Sequence, residues 1–212
     1  ILANQSHPAG FIADNLQMET NVIRAAYQAG VKRLLFLASS AIYPRAAHQP
    51  MAEDQLLAGP LDPIHQPYAM AKLAGIELCR AHAAEHGVRF LAAIPTNLYG
   101  PGDRHDLKHA HVVPALIRKC FLAKALRAGE LASIQADFAR HAIDGQHLRV
   151  HSLAEAADVL AGWGITPEAL TLWGTGRPRR EFLHVDDLAD ACLHVLAHQQ
   201  ANEPVNIGYG ED

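Results

Sequence analysis

Long segments with helical spacing of apolar residues alternate with short, predominantly apolar segments along this chain. Apolar residues recur at helical spacing over residues 14–30, a segment that ends in glycine, a typical helix stop. The segment KRLLFLA (32–38) follows and is apolar on both faces, as a fully buried strand of a parallel sheet requires. A second helical pattern (66–87), which also ends in glycine, precedes the apolar segment RFLAAIP (89–95). This order predicts βαβ units and an α/β fold with a doubly wound, parallel sheet of the Rossmann type.

The alternation is interrupted after residue 100. A polar stretch (101–111) leads into a helical pattern, and Ser152 and Glu155 have the S-x-x-E spacing of a capping box before a short helix that ends near Gly162. REFLHVDDLADACLHVLAH then returns to a strand followed by a helix, and EPVNIGYG predicts one more strand. We therefore expect a partial Rossmann domain, a smaller lobe with a helical elaboration, and a return to the Rossmann domain, over residues 1–100, 101–180 and 181–212.

Composition and charge argue against several classes of partner. Half of the 212 residues are hydrophobic, the formal net charge is −4, and no block of like charge occurs. Nucleic acid and anionic membrane surfaces are therefore poor partners, and no apolar run approaches the length of a membrane span. The three cysteines, Cys79, Cys120 and Cys192, are far apart and form no C-x-x-C pair. This usage predicts three buried thiols in a reducing compartment, so we expect a cytoplasmic protein.

Polar residues follow the predicted strands where ligands bind in a doubly wound sheet, at the carboxyl ends. Ser39 and Ser40 end the first strand segment, and PTNLYGP (95–101) ends the next. Tyr68 and Lys72 lie four residues apart at the start of the helix between them, a spacing that places both side chains on one face.

This set of side chains suits a reaction at a carbonyl carbon. A phenol is a poor acid–base group at neutral pH, but a neighbouring ammonium group stabilises its phenolate. A serine hydroxyl can hold a substrate carbonyl while the tyrosine gives or removes a proton, with hydride supplied by nicotinamide. The Y-x-x-x-K spacing alone often arises by chance. Following a strand end that carries Ser39, within a βαβ context, Tyr68 and Lys72 are favoured as catalytic residues.

Several longer motifs carry a resemblance to a known family. The chain contains, in this order, the motifs SSAIYP, QPMAED, QPYAMAK, PTNLYGP, HVVPALIRK, LWGTGRPRREFLHVDDLA and VNIGYG. In order and spacing, these motifs resemble those of the GDP-L-fucose synthases of the extended short-chain dehydrogenase/reductase superfamily, and the similarity covers the chain except for residues 121–168. The resemblance implies an NADPH-dependent conversion of GDP-4-keto-6-deoxy-D-mannose to GDP-L-fucose by 3,5-epimerisation and 4-keto reduction. It also implies a homodimer, in which the helices over 14–30 and 67–86 would pair as a four-helix bundle.

The resemblance also implies roles for single residues. Ser39 would bind the C4 keto oxygen, Tyr68 would protonate it, and Lys72 would hold the nicotinamide ribose. The implied cofactor-binding residues are Leu37, Ala38, Ser39, Ser40, Lys72, Pro95, Thr96, Asn97, Leu98 and His111. The implied substrate-binding residues are Lys119, Trp173 and Arg180. Other interpretations remain open for the substrate set: Trp173 as a core residue, Lys119 as a solvated helix charge, and Arg180, beside Arg177 and Arg179, as a surface residue.

The epimerase half of this reaction is placed in doubt by one residue. The family has a cysteine after its two serines and a histidine in an H-V-x-P-A motif, which move protons at C3 and C5 of the sugar. His111 is present, but Ala41 stands at the cysteine position, and a methyl group exchanges no proton. Another residue or a water could act instead, the protein could reduce without full epimerisation, or the cysteine could have been lost or replaced in this version. If His111 is not an acid–base group, a hydrogen-bonding role beside the cofactor is the alternative.

Two further departures from the family concern the glycine-rich turn and the length of the lobe. No G-x-x-G-x-x-G turn occurs, so we expect it upstream of Ile1 and expect this chain to be an internal piece of a longer protein. The segment 121–168 exceeds the short linker of compact members. Two alternatives remain: another extended short-chain nucleotide-sugar epimerase or dehydratase, and a catalytically silent NADP-binding protein. We expect no metal, because the histidines and aspartates of residues 103–111 have no ordered ligand spacing.

Overall fold

The computed structural model describes residues 5–172 and 174–211. Two compact units are present, one formed by Ile1–Leu98 with Arg180–Asp212 and the other by Tyr99–Arg179. The helices and strands are, in chain order, α1 (Pro8–Gln28), β1 (Arg33–Leu37), α2 (Gln66–His86), β2 (Arg89–Pro95), β3 (Asn97–Tyr99), α3 (Val112–Ala128), α4 (Leu131–Arg140), α5 (Leu153–Ala161), β4 (Phe182–His184), α6 (Val185–His198) and β5 (Val205–Ile207). Short 3-10 turns lie at Ser40–Ile42 and Glu53–Gln55.

The first unit is built on a parallel sheet with the strand order β1-β2-β5. Leu35 of β1 lies opposite Leu91 of β2, and Ala93 of β2 lies opposite Val205 of β5. The short strands β3 and β4 pair separately. The predicted α/β class with parallel strands and intervening helices is confirmed.

The central strand β2 shows why the sheet is covered on both faces. Phe90, Ala92 and Ile94 belong to the apolar cluster that includes residues of α1 and α2, whereas Leu91 and Ala93 belong to the cluster that includes residues of α6. Because side chains alternate along a strand, β2 contributes to a core on each side of the sheet. An apolar segment without alternation was the sequence signal for this position.

The prediction that the first strand is fully buried is wrong. Within β1, Phe36 is buried, but Leu34 and Leu35 are partly buried and Leu37 is 40% exposed. The reason is the place of β1 at the edge of the described sheet, where it pairs with β2 alone.

The C-terminal ends of α1 and α2 agree closely with the sequence. Helix α2 spans the predicted segment and is capped by Gly87, which has a left-handed backbone (φ 65°). Helix α1 starts at Pro8, before the predicted residue 14, and Gly30 just beyond its end also has a positive φ (78°). The two helices pack on each other and bury Ile23 of α1 against the cluster that contains Ile76 of α2.

The second unit is a small helical body with a core of its own. Its largest buried side chains come from α3, α4, α5 and the following turn, and they include Leu122, Ile134, Phe138, Leu160 and Ile165. The predicted capping box is present, since Ser152 Oγ accepts the Glu155 N–H at 3.2 Å before α5. The Glu155 carboxylate accepts the N–H of His151 at 2.7 Å, one residue earlier than the usual partner. The predicted lobe at 101–180 and the unit at 99–179 differ by two residues at the start and one at the end.

A buried ion pair joins α3 to α4 in this unit. The Arg118 guanidinium is 1% exposed and donates from Nε and Nη2 to the Asp137 carboxylate, with an Nη2–Oδ2 distance of 2.8 Å. Its remaining donors reach the backbone carbonyls of His105, His141 and Ala142. Because each nitrogen of the fork has a partner, Arg118 stabilises the unit without leaving a buried charge unpaired.

The prediction of three buried thiols is wrong. Cys79 on α2 is buried, Cys192 on α6 is half-buried, and Cys120 on α3 is exposed. Cys120 lies on the same side of α3 as Ile117 and Phe121, which are also exposed, so an apolar sequence context did not mean burial. Within the described residues, no helix combines the length and apolarity needed to cross a membrane.

Candidate active site

The carboxyl end of β1 turns sharply and presents two serines. Ala38 N–H still donates to the Ala93 carbonyl of β2 at 2.8 Å, and Ser39 then begins the 3-10 turn Ser40–Ile42. The Ser39 hydroxyl accepts the N–H of Ala41 at 3.2 Å, which fixes the turn at its first residue. Both serines are half-buried, as residues at the edge of a cleft would be.

Tyr68 and Lys72 lie on α2 beside this strand end. Lys72 Nζ donates to the Leu37 carbonyl at 3.1 Å and lies 5.8 Å from the centre of the Tyr68 ring. The 3-10 turn that follows Ser39 also contacts α2. The Tyr68 hydroxyl makes no hydrogen bond to any of the described residues, so it remains available to a substrate oxygen. The structure thus brings the predicted Ser39, Tyr68 and Lys72 to one end of the sheet.

A buried carboxylate that sequence reasoning missed completes this group. Glu19 of α1 is 8% exposed, and its Oε1 lies 3.0 Å from Lys72 Nζ. Burial raises the pKa of the Glu19 carboxyl, and the neighbouring Lys72 opposes that rise. In the sequence, Glu19 looks like one of several polar residues of an amphipathic helix. In the structure its side chain is distinguished by facing away from solvent.

The loop after Ser39 is tied to the end of β5 by Asn206. The Tyr43 hydroxyl donates to Asn206 Oδ1 at 2.6 Å, Asn206 Nδ2 donates to the Met51 carbonyl at 2.9 Å, and Asn206 N–H donates to Glu53 Oε1 at 2.7 Å. Burial, above all, raises the pKa of Tyr43 to about 12. These residues fall within the motifs SSAIYP, QPMAED and VNIGYG, so the three motifs contact one another in the structure.

The residues after β2 hold the return segment. Thr96 Oγ1 and Asn97 Nδ2 both donate to the Glu181 carbonyl, at 3.0 Å and 3.1 Å. Glu181 in turn accepts the Gly210 N–H on its side chain at 2.7 Å. The implied cofactor role of Pro95, Thr96, Asn97 and Leu98 stays a prediction, and the structure adds a structural role for two of them.

The predicted substrate-binding residues are distributed over the two units. Lys119 is buried in the second unit, where its Nζ donates to the carbonyls of Trp163 (2.9 Å) and Thr171 (3.3 Å). Burial lowers the pKa of Lys119, and the alternative of a solvated helix charge is wrong. Arg180 is exposed at the start of the return to the first unit, and Trp173 lies outside the described residues.

His111 and the polar loop before it also belong to the second unit. His111 is exposed and occupies the N-cap of α3, without a hydrogen bond from its side chain to the helix. Asp106 Oδ1 accepts the N–H groups of Lys108 and His109 and so closes a local turn. The described residues contain no group of three His, Cys, Asp or Glu side chains suited to a metal.

A comparison with protein families decides the affiliation of the chain. Residues 1–149 and 136–208 match the model of the NAD dependent epimerase/dehydratase family. The chain belongs to this family. This family member therefore carries the doubly wound sheet, the strand-end serines and the tyrosine–lysine pair described above.

Similar proteins within the family are GDP-sugar enzymes. A GDP-L-fucose synthase of Sinorhizobium fredii is 42% identical over 99% of this chain, which spans 54% of that relative. The solved GDP-mannoheptose C4 reductase of Campylobacter jejuni with NADP bound has a TM-score of 0.84 and 33% identity, covering 97% of this chain and 60% of the reductase. A GDP-L-fucose synthetase of Naegleria fowleri bound to NADP has a TM-score of 0.70 and 27% identity, covering 95% and 53%. The chain spans about half the length of the curated relatives it matches.

Proposed function

We propose that this chain belongs to an NADPH-dependent enzyme that reduces the 4-keto group of a GDP-linked sugar. The observation that carries the proposal is the bond from Lys72 to the Leu37 carbonyl, which places the Tyr68 helix beside the strand end that presents Ser39. Similar proteins solved with NADP bound and the identity to GDP-L-fucose synthases support the choice of cofactor and substrate class.

The residues present fit a nicotinamide cofactor and a ketone between them. An ammonium group, a phenol and a hydroxyl lie at the carboxyl edge of a parallel sheet, where such cofactors bind. When bound, NADPH supplies hydride to the carbonyl carbon. Lys72, with Leu37, Ala38, Ser40 and residues 95–98, would hold the cofactor.

The protein's own groups would manage the developing negative charge on the substrate oxygen. Ser39 would donate a hydrogen bond to the keto oxygen and so orient the carbonyl. Tyr68 would transfer its hydroxyl proton to that oxygen as the alcohol forms, and the Lys72 ammonium would stabilise the phenolate left behind. Reprotonation of the phenolate from solvent would then restore the starting state.

The specific reaction we propose first is the conversion of GDP-4-keto-6-deoxy-D-mannose to GDP-L-fucose. It is supported by the identity of 38–43% to several GDP-L-fucose synthases over nearly the whole chain. Lys119, Trp173 and Arg180 would contact the GDP-sugar, because lysine and arginine meet pyrophosphate charge and tryptophan packs on flat rings. The enzyme would act as a homodimer through α1 and α2.

A second candidate is reduction at C4 without inversion at C3 and C5. Ala41 favours it, because this chain lacks a thiol at the position where the resembled family carries its proton-transferring cysteine. The TM-score of 0.84 to a GDP-mannoheptose C4 reductase, against 0.70 to a GDP-L-fucose synthetase, points the same way. His111 would then serve as a hydrogen-bonding group rather than as an acid–base group.

One assay with the full-length protein distinguishes these possibilities. The protein is mixed with NADPH and GDP-4-keto-6-deoxy-D-mannose, and cofactor oxidation and product configuration are recorded. Oxidation with an L-configured product supports the first candidate, and oxidation with retained C3 and C5 configuration supports the second. Tight cofactor binding without oxidation of NADPH by any 4-keto GDP-sugar would refute both and identify a catalytically silent cofactor-binding protein.

A further inference from the structure

We propose that Glu19 is a positioning residue for Lys72: its buried carboxylate fixes the ammonium group at the carboxyl end of β1. The inference rests on the proposed function, which requires Lys72 to be held beside Tyr68 and Ser39. It assigns a role to a residue of α1, a helix that contributes no other group to the proposed chemistry.

The ammonium group of Lys72 is held from two elements besides its own helix. From α1 it faces Glu19 Oε1 at 3.0 Å, and from β1 it faces the Leu37 carbonyl at 3.1 Å. It also lies 4.7 Å from the centre of the Phe36 ring, within the range of a cation–π contact. A lysine has a flexible stem with several rotatable bonds, so contacts from separate directions are needed to keep its charge at one place.

The burial of Glu19 distinguishes its ion pair with Lys72 from a solvent-exposed ion pair. A carboxylate that is only 8% exposed is unfavourable unless an opposite charge accompanies it. Among the described residues no hydrogen-bond donor other than Lys72 is recorded for either carboxylate oxygen, so Lys72 is the partner that compensates the buried charge. The Lys72 side chain is itself only 15% exposed, and solvent screens the pair little.

Helix α2 has a glycine, Gly75, where the Glu19 carboxylate approaches it. A Cβ atom at Gly75 would lie 3.0 Å from Glu19 Oε2 and 2.3 Å from Phe36 Cζ, so a side chain there would displace both groups that face Lys72. Cys79, one turn further along α2, is another small residue of this region, and burial and the Glu19 charge raise its pKa to about 12. Gly75 therefore allows α1 to bring its carboxylate close to the lysine.

The position of the Lys72 ammonium group, and not only its charge, should affect the catalytic rate. With Glu19 in place, the ammonium would remain at the strand end whether or not a cofactor is bound. Without the carboxylate, the Leu37 carbonyl would be the remaining polar anchor from another element, and the ammonium would sample other positions. The catalytic step should therefore suffer more than substrate binding.

The test compares Glu19→Gln with Glu77→Gln in the full-length protein. Glu77 is a matched control, because it is an exposed glutamate of α2 that pairs with Arg80, and neither residue has a part in the proposed reaction. The first readout needs no turnover: proton–nitrogen NMR of the cofactor-free protein detects the Lys72 ammonium, assigned by its loss in Lys72→Met. We expect Glu19→Gln to abolish that signal and to lower kcat about tenfold or more, as for other groups that orient a functional residue, with little change in KM for the sugar.

The outcomes separate this inference from the proposed function. If Lys72→Met keeps full turnover, the proposed function is wrong. If Lys72→Met abolishes turnover while Glu19→Gln keeps both the ammonium signal and kcat like Glu77→Gln, the proposed function stands and the positioning role of Glu19 is refuted. Should Glu19→Gln not fold, Glu19→Asp replaces it: a weakened signal with reduced kcat supports the inference, and an unchanged signal and kcat overturn it.

Discussion

Lys72 on α2 donates a hydrogen bond to the backbone carbonyl of Leu37, the last residue of β1, over a distance of 3.1 Å. This bond joins the helix that carries Tyr68 to the strand end that precedes Ser39. Ser39, Tyr68 and Lys72 therefore lie at one end of the sheet, although they come from separate segments of the chain. The proposed chemistry depends on that location.

Replacing Tyr68 with phenylalanine should abolish turnover and leave cofactor binding nearly intact. The change removes the hydroxyl that we propose as proton donor while keeping the ring, and loss of a general acid typically costs about 100- to 10,000-fold in rate. NADPH oxidation measures the rate, and fluorescence titration measures cofactor binding. Tyr27→Phe is the control, because Tyr27 stacks on His86 away from the strand ends. Retained turnover in Tyr68→Phe would contradict the assigned donor.

Replacing Ala41 with cysteine should raise the proportion of product inverted at C3 and C5. A thiol at this position, next to Ser40, could exchange a proton that the methyl group cannot. The measurement is solvent deuterium incorporation at the two carbons, with Ala41→Ser as a control of similar size and much weaker acidity. If the parent protein already incorporates deuterium at both carbons at full rate, Ala41 is no obstacle to epimerisation.

Replacing Gly75 with alanine should destabilise the first unit, against the trend of helix propensity. Propensity alone favours alanine in a helix by about 1 kcal/mol. The added Cβ would lie 2.3 Å from the Phe36 ring, and such overpacking costs about 1–3 kcal/mol, so the steric effect should win. Denaturant unfolding gives the free energy. In Gly10→Ala the new Cβ meets only Asp14 Oδ2 at 3.8 Å, so that control should be neutral or stabilised. Stabilisation of Gly75→Ala would show that the packing relaxes freely.

Replacing Arg118 with methionine should destabilise the second unit by about 3–5 kcal/mol, the usual effect of breaking a buried ion pair. The change leaves the Asp137 carboxylate uncompensated and three backbone carbonyls without their donor. Hydrogen exchange of the α3 and α4 amides reports on this unit separately from the first. Lys108→Met breaks the exposed pair with Asp144 and should change exchange much less, because water screens that pair. Equal effects of the two changes would mean that burial of Arg118 adds nothing.

The stability of the first unit should depend on pH through Glu19, which faces Lys72 and Cys79. Burial raises the pKa of Glu19 above its value in the unfolded chain, so the folded state holds the Glu19 proton more tightly. Stability from this source is fully present below the unfolded carboxyl pKa and is lost as the pH rises through the raised folded value. The free energy of unfolding of the parent should therefore fall over that range relative to Glu19→Gln, in denaturant titrations at a series of pH values. A constant difference between the two proteins would mean that the pKa is unshifted.

Local sequence patterns encode the architecture of the first unit and its strand-end serines. Gly30 and Gly87 follow helices because glycine tolerates a positive φ, and β2 is apolar from Phe90 to Pro95 because the sheet has a core on each face. The spacing of Tyr68 and Lys72 likewise fixed their common face on α2. These properties depend on residues close in sequence, so one segment suffices to predict them.

The burial of polar residues and their contacts could not be predicted from local sequence and became clear in the folded protein. Glu19, Lys119 and Arg118 look like ordinary helix charges in the sequence, yet each is buried, while Cys120 in an apolar context is exposed. The physical reason is that burial depends on which face of a helix meets another element, and that contact is made by residues distant in the chain. The pairing of Glu19 with Lys72 exists because α1 and α2 approach closely at a glycine, a fact that neither helix reveals alone.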